Sequence, residues 1–238
     1  MTEPRPLRRD EAAGLAAEEY GRLLNLVEGL PSDVWQRRTD CTDWDVRQLV
    51  AHVVGMAELG ASLREALRQL WAGRSTGLKP PHSFNVVQVA ERADHEPDRL
   101  VAELRDVAPR AVRGRWSLSA PLRRLPVPLE FSGRRTLDWL FTVVLTRDMW
   151  MHRVDLARAT GSDLVLTPEH DGRLVADVVA EWAGLHGQAY DLTLTGPAGG
   201  RFRTRSDGAP LEMDAVQFCR VLGGRAPGDG LLATRVDF

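Results

Sequence analysis

Two stretches of the sequence place metal-ligating side chains where an apolar pattern is expected. His52 sits inside the run Val46, Leu49, Val50, Val53, Ala57, which repeats at helical period. It lies three residues after Leu49 and four before Met56, on a face next to that stripe. Asp148 and His152 lie four apart, so a helix carries both on one face, the face that upstream holds Leu137, Phe141 and Val144. A carboxylate buried among apolar groups is costly unless it is paired or bound to a cation. Two histidines and one carboxylate from facing helices would form a three-ligand metal site with an open position, a set that suits Zn²⁺ and also Fe²⁺ or Ni²⁺. Asp155, three residues past His152, is placed to accept a hydrogen bond from that ligand. The spacing alone also fits a plainer reading, in which His52 is a satisfied core histidine and Asp148 and His152 are an i,i+4 surface pair.

Other reactive residues are fewer. Cys41 and Cys219 are the only cysteines, too few for a disulfide scaffold or a four-thiolate zinc site. Cys41 precedes the helix of His52 and reads as a packing residue, with a redox thiol near a helix N-terminus as the sharper reading. His82, after Pro80 and Pro81, reads as a surface-loop histidine. Trp44 and Trp150 read as core or pocket-lining aromatics.

The elements that must position these residues can be traced along the chain. A helix is expected from about Leu7 to Leu30, ended by Pro31. A second begins near Thr42, with Thr42 and Asp45 as a capping box, and continues with weakening periodicity to Leu70. Residues 73–82 read as a loop, and helical character returns over 85–107 with Pro97 as an interruption. The stretch 108–133 is rich in Pro, Arg and Gly and reads as irregular, with short strands near Trp116 and over 126–131. A very apolar helix is expected over 136–160, with Gly161 as its C-cap. Beyond it come a helix over 168–185, strands at 191–195 and 201–205, a helix over 213–222 and a closing strand over 231–238. The expected fold class is mainly α: a four-helix bundle, residues 1–161, followed by a small α+β domain, residues 162–238.

Composition sets limits. The 238 residues carry 31 basic and 33 acidic side chains, a formal net charge of −2. That argues against bulk binding to nucleic acid, and the arginine-rich stretch 110–124 is broken by proline without a recognition helix. No apolar run approaches the roughly 20 residues of a membrane span. The N-terminus lacks the apolar core of a signal peptide, so a cytoplasmic location is expected. Ile is absent, Lys occurs once and Asn twice. The scarcity of residues with AT-rich codons fits a GC-rich genome such as an actinobacterial one.

The segment from Cys41 through Trp44, Val46 and Leu49 to His52 resembles the C-x-x-W-x-V-x-x-L-x-x-H segment of the mycothiol-dependent maleylpyruvate isomerase family, within the DinB-like metalloprotein superfamily. The segment Asp148, His152, Asp155, Leu156, Ala157 is similar to that family's E-x-x-x-H-x-x-D-L-A signature. The C-terminal stretch with Gly196 to Gly199, Asp214 and Gly224-Arg225 resembles its appended α+β domain. The resemblance implies a DinB-like bundle with a divalent metal on His52, Asp148 and His152. It also implies mycothiol as the thiol cosubstrate, and Arg225 as the counterpart of a catalytic arginine. The family usually has Glu where this chain has Asp148, one methylene shorter, which bears on metal preference. The implied activity is a thiol S-transferase or isomerase: a metal-activated thiolate attacks a small electrophilic substrate, and in an isomerase the adduct rotates and the thiol leaves. A hydrolase using metal-bound water, and a non-catalytic binding or regulatory protein on the same scaffold, remain as alternatives. The implied partners are a low-molecular-weight thiol and a small electrophile, on a monomer or homodimer.

Overall fold

The computed structural model describes residues 4–41, 44–204 and 208–238. Ten helices and five strands follow one another among them: α1 (Arg9–Glu28), α2 (Val46–Ala61), α3 (Leu63–Gly73), α4 (His82–Ala90), α5 (Pro97–Trp116), α6 (Ala120–Arg123), β1 (Pro126–Pro128), β2 (Arg134–Thr136), α7 (Leu137–Trp139), α8 (Leu145–Thr160), α9 (Asp171–His186), β3 (Asp191–Thr195), β4 (Gly200–Arg203), β5 (Pro210–Asp214) and α10 (Ala215–Leu222). The chain is mainly α with a small α+β portion at its C-terminal end, as the sequence pattern implies.

Contacts divide the chain into two compact units, one of residues 13–125 and 148–163 and the other of residues 1–12, 126–147 and 164–238. The first is a helical bundle. Its core draws Tyr20, Leu23 and Val27 from α1, Val46, Leu49, Val50 and Val53 from α2, Leu100, Leu104 and Val107 from α5, and Met149 and Leu156 from α8. Helix α2 is buried almost all round, as befits the helix at the centre of a bundle. In the second unit a three-stranded sheet, ordered β4-β3-β5, pairs β3 antiparallel with β4 and parallel with β5. Leu192 lies opposite Phe202 on one side and Leu211 on the other. Trp182 of α9 and Phe218 of α10 pack edge to face in the same unit, ring centroids 5.3 Å apart. Buried Arg147 there pairs with Asp177 at 2.7 Å and with Glu181.

Several expectations need correction. Thr42 lies outside the described residues, and the cap of α2 is Asp45: its carboxylate accepts from Gln48 N while Gln48 answers to Asp45 N. The second helix does not run on to Leu70. Ser62 turns extended (φ −154°, ψ 128°), and its hydroxyl accepts from Glu65 N to start α3. The stretch 108–116 is helical, and no strand forms at Trp116. Pro109 removes one helical donor, but Leu104, Ala108, Ala111 and Arg115 keep the buried face in register across it, and burial outweighs the lost bond. Residues 231–238 hold a short 3₁₀ turn, Gly230–Ala233, where a closing strand was expected. The third sheet partner is β5, whose residues alternate between exposed and half-buried with none fully buried.

A π-helical turn, Leu140–Val144, leads directly into α8. A π turn inserts an additional residue, so the i,i+4 row read from Leu137 toward His152 does not keep phase through it. Asp148 and His152 lie beyond it, in regular helix. Gly161 closes the helix at φ 75°, a left-handed conformation that a side chain would strain.

A candidate metal centre

Three of the residues singled out by spacing converge in the helical unit. His52 of α2 is 4 % exposed, and His152 of α8 is 4 % exposed. Their rings stand edge to face, centroids 5.1 Å apart. Donor atoms of His52, Asp148 and His152 all lie within 4.8 Å of one another. Asp148 is the least enclosed of the three.

Nitrogen and oxygen positions in this cluster fit a shared cation better than a closed hydrogen-bond network. His152 Nε2 is 3.1 Å from Asp148 Oδ1, yet it makes no aligned hydrogen bond. His52 Nδ1 is buried without a partner. Unaligned donors and an orphaned ring nitrogen are unusual in a packed interior. His152 Nε2 and the Asp148 carboxylate are spaced as ligands directed at a common point.

Electrostatics separates the two imidazoles. Burial, and then the charge of neighbouring His152, push His52 down from 6.5 to about 4; Asp148 and Gln88 oppose this without overcoming it. His52 is therefore neutral at physiological pH and ready to ligate. Burial also works against a charged His152, but contacts with Asp148, Asp155 and Cys41 outweigh it and hold this imidazole well above its ordinary value.

Asp155 is fully buried, with Oδ2 3.4 Å from His152 Nδ1. This is the carboxylate–histidine pairing that orients a ligand imidazole, and it leaves Nε2 to face Asp148. Cys41 joins it: Sγ is 3.4 Å from Asp155 Oδ2 and 3.8 Å from His152 Nδ1. Cys41, His152 and Asp155 form a second donor cluster on the far side of the same ring. Trp44 covers His52, ring centroids 4.6 Å apart, and lies 6.5 Å from the His152 ring.

Ion pairs fix α8 and the segment before α2 around the cluster. Arg153, next to His152, forms a two-pronged pair with fully buried Glu19 of α1, at 2.5 and 3.2 Å. Arg158 reaches Asp40 at 2.9 Å, and Arg37 donates to Thr160 O at 3.2 Å. Thr39 Oγ1 donates toward Cys41 O and Trp44 O, which sets the turn that presents Cys41 and Trp44.

The remaining expected residues fall elsewhere. Arg225 follows α10 in the other unit, half-buried, with Nη1 donating to Gly223 O at 3.3 Å. His82 is the exposed first residue of α4. Trp150 is a core residue, 1 % exposed. Sequence reasoning missed Gln69 and Gln88, both fully buried. The available signal was a polar amide inside the apolar run Phe84, Val87, Val89.

The fold and cluster thus define a helical bundle protein whose central and last helices together present two imidazoles and a carboxylate. The family model of the mycothiol maleylpyruvate isomerase N-terminal domain matches residues 16–157, and the chain belongs to that family. Two crystal structures of mycothiol-dependent maleylpyruvate isomerase, one of them of a mutant, share the fold. Each has a TM-score of 0.60 and 20 % sequence identity, over 95 % of this chain and 93 % of the other. No curated protein matches the chain in sequence. Among the described residues no helix is long and apolar enough to cross a membrane.

Proposed function

We propose that the chain is a metal-dependent, mycothiol-dependent isomerase or S-transferase acting on a small electrophile, with His52, Asp148 and His152 as the ligands. The observation that carries this reading is the cluster itself: three buried or half-buried donors within 4.8 Å, with His152 Nε2 beside Asp148 but not aligned on it, in a chain of this family. Two imidazoles and one carboxylate suit Zn²⁺ with an open position for a thiol. When bound, the metal lowers the pKa of the thiol from about 8.5, so that the thiol reacts as the thiolate.

The chain's own residues do the rest. His52 offers a neutral ring. Asp155 accepts from His152 Nδ1–H and so directs Nε2 to the metal side. Trp44 shields the His52 ring from water. In the isomerase reading, thiolate sulfur bonds to an unsaturated carbon of the substrate, the former double bond rotates, and the carbon–sulfur bond breaks to return the thiol. In the transferase reading the adduct is the product. By the family resemblance Arg225 stands as the counterpart of a catalytic arginine.

The test is metal content and thiol-dependent turnover in wild type beside His52→Ala and His152→Ala. Wild type should carry about one divalent ion per chain, lost together with turnover in both variants. Wild type that takes up none of Zn²⁺, Ni²⁺ or Fe²⁺, or variants with unchanged turnover, would overturn the assignment. Turnover that needs metal but no thiol would replace it with a hydrolase.

A further inference from the structure

We infer that Gln88 is a positioning residue for His52, the last link of an amide relay that dictates which ring nitrogen His52 presents to a metal. The inference rests on the reading of His52 as a ligand. It starts from two fully buried amides, Gln69 of α3 and Gln88 of α4.

The orientation of both amides follows from their partners. Gln69 Nε2 donates to Gly55 O at 3.0 Å and to Glu65 Oε1 at 3.1 Å. Neither partner oxygen can donate in return, so the nitrogen of Gln69 must lie there and both its hydrogens are used. Gln69 Oε1 must then accept, and it does so from Gln88 Nε2 at 2.8 Å. The other hydrogen of Gln88 Nε2 points to Met56 Sδ at 3.2 Å. Gln88 has therefore spent its donors, and its Oε1 is an acceptor by elimination.

That oxygen is buried without an aligned partner, and so is His52 Nδ1. Gln88 packs on α2 over Gly55 and Met56, one turn along from His52, which brings the two buried groups to the same stretch of the helix. An acceptor facing the enclosed nitrogen of a neutral imidazole selects the tautomer with hydrogen on Nδ1. The lone pair is then on Nε2, free for a metal. Relay polarity runs in one direction, from the backbone carbonyl of Gly55 through Gln69 and Gln88 to the ring.

Gly55 supplies the room. A Cβ there would sit 2.4 Å from Gln88 Cγ and 2.6 Å from its Cβ. Any side chain at position 55 would push Gln88 off α2, three residues along from His52. The same glycine thus gives the relay its anchoring carbonyl and its passage.

The experiment reads the tautomer of His52 in the metal-free protein by long-range ¹H–¹⁵N correlation after ¹⁵N-histidine labelling, and separately the affinity for Zn²⁺. Wild type should show His52 as the Nδ1–H form. Gln88→Met, similar in volume but without donor or acceptor, should shift it toward the Nε2–H form that free histidine prefers. It should also weaken Zn²⁺ binding by about 10- to 100-fold. Gln88→Glu keeps an acceptor oxygen for the ring while losing the donor to Gln69 Oε1, and should keep the Nδ1–H form that Gln88→Met loses. If Gln88→Met does not fold by circular dichroism, Gln69→Met breaks the relay one link back and should shift the tautomer likewise. An Nε2–H ring in wild type, or a tautomer indifferent to folded variants at 88 and 69, would overturn the inference. A locked Nδ1–H ring in a wild type that binds no Zn²⁺ would instead sink the metal reading while upholding the relay.

Discussion

Acid should destabilise the metal-free protein through His52, by an amount that the structure sets. In the folded chain burial and the neighbouring charge hold this imidazole down at about 4, against 6.5 when exposed. Between these values the unfolded chain binds a proton that the folded chain refuses, so stability rises with pH across the window and is lost as pH falls. Each pH unit is worth about 1.36 kcal/mol, so the interval from 6.5 to about 4 amounts to about 3 kcal/mol. Against a typical domain stability of roughly 5–15 kcal/mol that is a readily measured loss. His152 does not cancel it. Its folded value is raised, so its stabilisation is complete below 6.5 and is lost only as pH climbs through that raised value. The assay is urea unfolding by circular dichroism, with chelator present, at several pH values from 7 to 4. His52→Gln, which cannot titrate, should lack this part of the acid loss, and its stability curve should converge on or cross that of wild type toward pH 4. Parallel curves for the two proteins would refute the reasoning, because the acid loss would then belong to other groups.

Two further outcomes follow from the same geometry. Binding of Zn²⁺ at pH 7 should release about one proton per ion, because Asp148 and Asp155 keep His152 protonated until a metal displaces that proton. Calorimetry in buffers of different ionisation enthalpy reads the release, and heats independent of buffer would contradict it. Glu19→Gln should cost about 3–5 kcal/mol in chemical denaturation, since it leaves the buried Arg153 guanidinium short of its counter-charge. A loss below about 1 kcal/mol would show that the pair does not hold α8 against α1.

Much of the bundle is legible from local pattern. The stripe Val46, Leu49, Val50, Val53 marks α2, and all four residues are buried to within 1 %. Gly161 ends α8 because only glycine adopts that turn without strain. The errors share one cause. At Pro109 and over 231–238 the local signals named an irregular segment and a strand, and contacts distant in sequence decided otherwise. Leu100, Leu104 and Ala111 bury a face that carries helix α5 through its proline. Val236 is buried in the second unit without strand pairing, its N–H donating to Leu222 O.

The site shows the same division. His52, Asp148, His152 and Asp155 were visible as residue types at helical spacing, because a 3.6-residue period determines which side chains share a face. Spacing within one helix cannot say what that face meets. The approach of α2 to α8 brings His52 to His152, the turn after Thr39 brings Cys41 and Trp44, and the crossing of α4 over Gly55 brings Gln88. The sequence by itself determined the candidate donor residues and the helices that carry them, since both are local properties of the chain. Tertiary structure alone decided which donor atoms come within 4.8 Å of one another, which carboxylates charge His152 and which amides pack on α2 beside Gly55, because those depend on distances between segments that periodicity does not encode.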